Sequence, residues 1–505
     1  MSRYRSAIVE IVNPDIKPSS PAKPSLSESG SVTTIACLPA ELLCLIFDEC
    51  FAIFKSEELY QPNLADPPWH FISGSLGPHL RQPSTEDAFA RFRSPSRFPY
   101  GLALVSQFWR EVLSTQPIYW QQAILSFDPE STRTWDRFVS LKWSRNLPID
   151  VVILRDTSHH QSYFNDYEAP IVKVVMDLLY YHLPRCRSIY LETNLGSSLP
   201  LISEHIQGRS HMLSSLFLRC QVGDTAHQRR LALERGAPKL RAKATELPHL
   251  RSLVLDGKNF DNTFRHWLVL QTNLEQLIIS NYPPSKSGVT IGRTLRVIHN
   301  LPNLLRLKFQ NVDFEVNPEL PPSSYSSGIR QLHLEAVPPL IIQEIFRLCD
   351  FDELDSVCFT RCAVDDLPYC NLLILDDIQV TSRVPLDVML LDWEGSHLWI
   401  GNCQGFNDDI FDMLRKFDIM EEQFRCPWME KLHLYNLPPF SLKKLKKMIK
   451  RRNHYVAYGD PDWMDHTDFG PAISTLHIEK CDVRELTTQD IEWFTSHVAE
   501  FTYVK

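Results

Sequence analysis

Two short stretches near the N-terminus carry the period of an amphipathic helix. In the first, Leu42, Leu43, Ile46, Phe47, Cys50 and Phe54 recur at steps of three and four, which puts them on one helical face. In the second, Leu102, Val105, Trp109, Val112 and Leu113 follow the same period. Pro39 suits the first turn of the first helix, where its missing N–H leaves no bond unmade. Glu41 complements the positive end of that helix's dipole. Pro117 marks the stop of the second helix. Two short helices with apolar faces this wide bury little between themselves, so the pattern is that of a pair completed by another surface.

A second pattern fills the C-terminal two thirds of the chain. The unit apolar-x-x-apolar-x-apolar recurs, with its middle position at Ile189, Leu216, Leu253, Leu277, Leu307 and Leu332, then at Val357, Leu373, Leu432 and Leu476. Leu398-x-Ile400 is a fragment of it. Each copy predicts a short strand whose alternate side chains point inward. Between copies, Ile291, Leu295 and Ile298, and again Ile341, Ile345 and Leu348, carry helical spacing. One strand–helix unit cannot bury both of its faces alone, so such units stack. From 253 to 277 is 24 residues, and from 307 to 332 and 332 to 357 is 25 each, within the range of leucine-rich repeats. Other steps are irregular: 277 to 307 is 30, 357 to 373 is 16 and 432 to 476 is 44. Cys362, Cys403 and Cys481 each stand three residues after the last apolar position of a copy. The resemblance to leucine-rich repeats implies a role for them at the turn, satisfying backbone groups.

The helical pair resembles an F-box of the fungal type. The resemblance rests on Leu38-Pro39, Glu41-Leu42-Leu43, Ile46-Phe47, Leu104-Val105-Ser106, Trp109-Arg110 and Trp120. It departs from that pattern in the insertion of residues 55–98 between the two halves. The resemblance implies docking to a Skp-family adaptor, and through it to a cullin–RING ubiquitin ligase. It places that docking on Leu38, Pro39, Leu42, Leu43, Ile46, Val105 and Trp109. The expected fold is α/β, an F-box-like helical module followed by an irregular leucine-rich-repeat solenoid. The expected function is a non-catalytic substrate adaptor with no cofactor, acting by proximity. The rival is a repeat scaffold whose N-terminal helices only cap the solenoid; exposure of the face holding Leu42 and Ile46 separates the two.

The domain boundaries follow from composition. Residues 1–33 are rich in Ser and Pro and read as a disordered tail. Residues 34–125 hold the helical module, and the Pro- and Gly-rich insertion 55–98 reads as a solvated loop. Residues 126–182 form a bridge. In it Trp135, Phe138, Leu141 and Trp143 predict a helix, the β-branched run 147–154 a strand, and 172–181 another helix. Residues 183–505 are the repeat domain. A chain of 505 residues requires more than one core. Its net charge of −9 argues against a general nucleic-acid binder. The sequence has no apolar run of membrane-spanning length and no secretory leader. Its twelve cysteines show no framework spacing, which implies a reducing compartment, cytosol or nucleus.

The remaining constellations have plainer readings. Cys349, Cys358, Cys362 and Cys370 lack the tight paired spacing of structural zinc sites. The basic run 443–452 is compatible with a nuclear-localisation or nucleic-acid patch, but on a helix it leaves Leu442, Leu445 and Ile449 on one side and reads first as a solvated face. His159 and His160, and Asp462, Asp465 and His466, show no third partner. Trp393, Trp399 and Trp428 read as packing or rim residues. Nucleophile-elbow, phosphate-loop, zincin and dinucleotide motifs are missing from the sequence, which lowers the prior for an enzyme.

Overall fold

The computed structural model describes residues 38–59, 97–126, 138–154, 165–206, 210–222, 247–263, 268, 271–282, 289–316, 321–351, 354–378, 385–418, 423–458 and 471–505. The predicted tail 1–33, most of the insertion 55–98, Trp135, the His159-His160 pair and the stretch holding Asp462 and His466 lie outside these residues. The chain divides into two units, residues 1–63 with 83–160, and residues 64–82 with 161–505.

In the first unit the helices are α1 (Ala40–Leu59), α2 (Tyr100–Ala103), α3 (Gln107–Ser114) and α4 (Val139–Trp143), with strands β1 (Gln122–Ser126) and β2 (Ile149–Leu154). Helix α1 begins directly after Pro39, whose carbonyl accepts the Leu43 N–H at 3.1 Å. The second predicted helix is broken in two. Ser106 is extended (φ −156°) and its hydroxyl accepts the Trp109 N–H at 3.1 Å, so it caps α3 and ends the run from α2. Leu43, Phe47, Trp109, Val112, Leu113 and Trp120 form the core between these helices. Phe47 meets Trp109 edge to face with ring centroids 5.3 Å apart. The Trp120 indole N–H donates to the Leu113 carbonyl at 2.9 Å, so this large side chain is buried with its one donor satisfied. The run 147–154 forms β2, parallel to β1 with Ala123 opposite Val151 and Leu125 opposite Ile153.

In the second unit the chain runs α5 (Asn165–Leu179), β3 (Cys186–Leu195), α6 (Ile202–His205), β4 (Ser215–Val222), β5 (Ser252–Asp256), α7 (Gly257–Thr263), β6 (Gln276–Tyr282), α8 (Ile291–His299) and β7 (Arg306–Val312). It continues through β8 (Tyr325–Ser326), β9 (Gln331–Glu335), α9 (Pro339–Leu348), β10 (Cys349–Asp350), β11 (Ser356–Thr360), β12 (Leu372–Asp376) and α10 (Leu386–Met389). Then come β13 (His397–Gly401), α11 (Asp409–Leu414), β14 (Phe417–Asp418), β15 (Gln423–Phe424), β16 (Lys431–Tyr435), α12 (Leu442–Tyr458), β17 (Thr475–Glu479), α13 (Thr488–His497) and β18 (Glu500–Val504). Twelve of these strands pair in chain order; β8 with β10 and β14 with β15 form separate two-stranded ladders. The whole is mixed α/β, with an open parallel sheet.

Every predicted middle position lies on a strand, and the strands align them. Leu216, Leu253, Leu277, Leu307 and Leu332 are successive partners. Val357, Leu373, Leu398, Leu432 and Leu476 continue the row. All are at most 1 % exposed. Because strand side chains alternate, a slip of one residue would expose the entire row, so burial fixes the register. The helical positions between strands behave as their spacing predicts: Ile291, Leu295 and Ile298 on α8, and Ile341, Ile345 and Leu348 on α9, are buried.

Strand exits share a backbone conformation. Asn281, Asn311, Ala336, Arg361, Asp377, Asn402, Asn436 and Lys480 all have φ between 45° and 53°. Each stands two residues beyond the last inward apolar side chain of its strand. This left-handed turn aims the residue's N–H at the next strand, as in Ala336 to the Thr360 carbonyl (2.8 Å) and Asn436 to the Glu479 carbonyl (2.9 Å). Asn tolerates the conformation best among residues with a side chain. Its amide adds a second ladder here: Asn311 Nδ2 donates to Asn281 Oδ1 at 2.9 Å, and Asn436 Nδ2 to Asn402 Oδ1 at 2.6 Å.

Candidate functional site

Two surfaces collect the residues singled out from the sequence. The first is on the helical pair. Leu42, Leu45 and Ile46 of α1 are 46, 62 and 39 % exposed, and Leu104, Val105 and Phe108, around the break between α2 and α3, are 41, 55 and 41 % exposed. Pro39 is exposed and Leu38 half-buried. Two of the seven residues expected to dock take another place: Leu43 has no exposed surface and Trp109 only 6 %. They pack the helices together, because the period that groups Leu42 with Leu43 spreads over an arc wide enough to face two directions. Leu45, Leu104 and Phe108 are exposed apolar residues that the expected set omits; Leu45 falls one turn before Glu49 on the outer side of the same helix.

The second surface is the face of the parallel sheet opposite the inward leucines. Between the two inward positions of each strand stand Lys308, His333, Cys358, Ile374, Trp399, His433 and His477, opposite one another in register. Glu335 is the electrostatic centre. Lys308 Nζ reaches Glu335 Oε2 at 2.6 Å, Gln310 Nε2 donates to Oε1 at 3.2 Å, and Arg361 pairs with the same carboxylate. Burial alone would raise the Glu335 pKa, but Lys308, Arg361 and Arg219 outweigh it and hold the carboxyl below its ordinary value. His333 beside it is pushed well below the usual imidazole value by burial, then by Lys308 and Arg361, so it is neutral; its Nε2 lies 3.2 Å from Thr360 Oγ1. Burial drives the Cys358 thiol up to about 12, which leaves it protonated and a poor nucleophile at neutral pH.

The neighbouring strands carry an aromatic floor. Trp399 stacks on Tyr435 with centroids 5.8 Å apart, and His433 stacks on His477 at 5.0 Å. Gly401 makes this possible: a Cβ there would lie 2.0 Å from the Trp399 ring, which lies along its own strand. Lys480 Nζ sits 5.3 Å from the Tyr435 ring centroid. Most of the row is itself buried: Lys308, His333, Cys358, Ile374, Trp399 and His477 are each at most 7 % exposed. Trp393 is buried in the core and Trp428 is 41 % exposed.

The cysteines after the strands act as hydrogen-bond donors. Cys362, Cys403 and Cys481 Sγ lie 3.2, 3.6 and 3.4 Å from the carbonyls of Leu334, Leu375 and Leu434, each on the preceding strand. Among the described residues, no three His, Cys, Asp or Glu side chains are placed to hold a metal ion. No helix among them is long and apolar enough to cross a membrane.

The basic run lies on α12, as its spacing predicts, with Leu442, Leu445 and Ile449 buried. Its charges are not equivalent. Lys444 Nζ pairs with Asp412 at 2.8 Å and Lys446 Nζ with Asp490 at 2.7 Å. Arg452 is 1 % exposed and donates to the carbonyls of Leu414, Arg425, Cys426 and Pro427. Lys443, Lys447, Lys450 and Arg451 are exposed. Compared with known proteins, the chain matches no protein-family model and no curated protein.

Proposed function

We propose that this chain is the substrate-recognition subunit of an SCF-type cullin–RING ubiquitin ligase. In this reading the helical module is an F-box that docks a Skp-family adaptor. The parallel sheet of the second unit is a degenerate leucine-rich-repeat array that holds a protein substrate. The observation that carries it is the run of apolar side chains left on the surface of the helical module: Leu42, Leu45 and Ile46 on α1, Val105 at the break between α2 and α3, and Phe108 on α3. Apolar clusters of this kind mark interaction sites when they are rimmed by polar residues. Glu41, Asp48, Glu49 and Gln107 supply such a rim. The rival reading, in which these helices only cap the repeats, predicts no adaptor binding by this face.

The role would be one of proximity. One surface would hold the ligase and the other the substrate, so ubiquitin transfer becomes effectively intramolecular and its rate rises with effective concentration. No group on this chain takes part in the chemistry of that transfer.

The test is co-purification of the full chain with a co-expressed Skp-family adaptor, before and after the double substitution Leu42→Asp with Val105→Asp. Both positions are exposed, so the core is untouched and the circular dichroism spectrum stays the same. Loss of the adaptor from the double variant is expected. An adaptor that fails to bind the unmodified chain, or binds the variant equally well, overturns the assignment.

A further inference from the structure

Helix α12 carries its positive charge in three ways, and only one of them is left uncompensated. On one flank Lys444 is neutralised by Asp412, with Asp408 3.9 Å away. On the other flank Lys446 is neutralised by Asp490, which also takes Arg484 at 2.9 Å. Arg452 is consumed inside the fold by four carbonyls. Along the outer ridge, Lys443, Lys447, Lys450 and Arg451 are exposed. Lys443, Lys450 and Arg451 have no ionic partner among the described residues, and Lys447 only senses Asp412 at a distance.

These four ridge residues are spaced by four, three and one, which places them within an arc of about 100° on the outer side of the helix. Their mutual repulsion opposes the helix that carries them, since like charges three and four residues apart destabilise it. The neighbouring elements supply acids to both flanks, yet they leave the ridge bare in a chain with 61 acidic residues.

We infer that the outer ridge of α12 is a docking surface for an acidic peptide segment of a partner protein. Lys443 and Arg451 are eight residues apart, about 12 Å along the helix axis at ~1.5 Å per residue. An extended peptide covers that span in about four residues at ~3.3 Å each. A cluster of three or four carboxylates in sequence therefore matches the ridge in both length and charge. A nucleic-acid duplex fits less well: the ridge offers only four cations over about 12 Å, and the whole chain, at net −9, repels a long polyanion. The inference stands on the charge layout of α12 and does not depend on the ligase reading.

The experiment is fluorescence anisotropy of the full chain with a fluorescein-labelled peptide of six alternating Asp and Glu residues in 50 mM salt. The comparison is the quadruple variant Lys443→Gln, Lys447→Gln, Lys450→Gln, Arg451→Gln, which keeps good helix formers at exposed sites. Binding by the unmodified chain, at least tenfold weaker in the variant and tenfold weaker at 300 mM salt, is expected. No binding by the unmodified chain at millimolar peptide, or a change under twofold in the variant, overturns it. So does tighter binding of a 20-base-pair duplex or of phosphatidylserine vesicles, which would assign the ridge to another partner. A chain with Asp460, Asp462, Asp465 and Asp468 changed to Asn is expected to bind the peptide unchanged. A tenfold gain there would make the chain's own acidic segment the occupant and sink the inference.

Discussion

Leu42 and Leu43 are consecutive in the chain and face opposite ways: Leu43 has no exposed surface, while Leu42 keeps 46 % of its own. Leu43 packs with Phe47 and Trp109 in the core of the helical module, and Leu42 joins Ile46 on the outside. One step along a helix turns the side chain by about 100°, enough to separate a packing role from a docking role. The two leucines therefore predict opposite outcomes.

Truncating Leu43 to Ala removes buried methyl groups and leaves a cavity, at a cost of about 2–5 kcal/mol. Truncating Leu42 to Ala costs less than ~0.5 kcal/mol, as expected at an exposed position. Amide hydrogen exchange across α1 is the suitable measurement, since it reports the first unit without assuming that the whole chain unfolds in one step. Protection should fall by about thirtyfold or more in Leu43→Ala and by less than about threefold in Leu42→Ala. Equal loss in both would mean that Leu42 is buried in solution.

Most of the inward row of the sheet is legible in the sequence, because its physical cause is local. A residue between two strands of a parallel sheet must be apolar at alternate positions, and Leu253, Leu277, Leu307 and Leu332 announce this directly. Strands β1 and β18 carry the same spacing in weaker residues, Trp120-x-x-Ala123-x-Leu125 and Val498-x-x-Phe501-x-Tyr503, and were missed for that reason. The opposite face was not legible. Its side chains are identified by register across strands that are 16 to 44 residues apart, so His433 and His477 look unrelated until the strands align them. The split between Leu42 and Leu43 was equally hidden, because periodicity groups residues over an arc and does not say which edge of that arc meets the core.

The thiols differ in reactivity in a way that maps the fold. Burial pushes Cys349, Cys358, Cys370, Cys403 and Cys426 up to about 12. At pH 8 only about one in ten thousand such thiols is ionised, and the thiolate is the reactive form. Cys44 and Cys50, on α1, are only half-buried. Iodoacetamide at pH 8 should therefore label Cys44 and Cys50 in the native chain and leave the five buried thiols unmodified until urea is added. Peptide mass mapping after a short pulse reads this out. Native labelling of Cys358 or Cys426 would show that the strand array opens more readily than its packing implies.

The stacked imidazoles make stability depend on pH in a defined window. Burial, reinforced by His477, lowers the His433 pKa from 6.5 to about 3. His477 is lowered too, by burial, against the opposing pull of Glu500 and Glu479. A histidine with a depressed folded pKa binds its proton more readily in the unfolded chain. Its contribution is therefore complete above the unfolded value of 6.5 and is lost progressively as pH falls toward the folded one. Lowering the pH from 6.5 to 5 should cost about 2 kcal/mol through His433 alone, at ~1.36 kcal/mol per pH unit. The carboxylates held low by ion pairs, such as Glu335 and Asp490, act in the same direction but only at more acidic pH, nearer their own unfolded values. Urea unfolding of the second unit at pH 7.5, 6.5, 5.5 and 5.0 should show the loss, and His433→Phe should reduce it while keeping an aromatic ring stacked on His477 and edge-on to Trp399. His182, His333, His397 and His477, lowered in the same sense, set the slope that remains in that variant. An identical slope with and without His433 would place the protonation elsewhere and show that this imidazole is hydrated in solution.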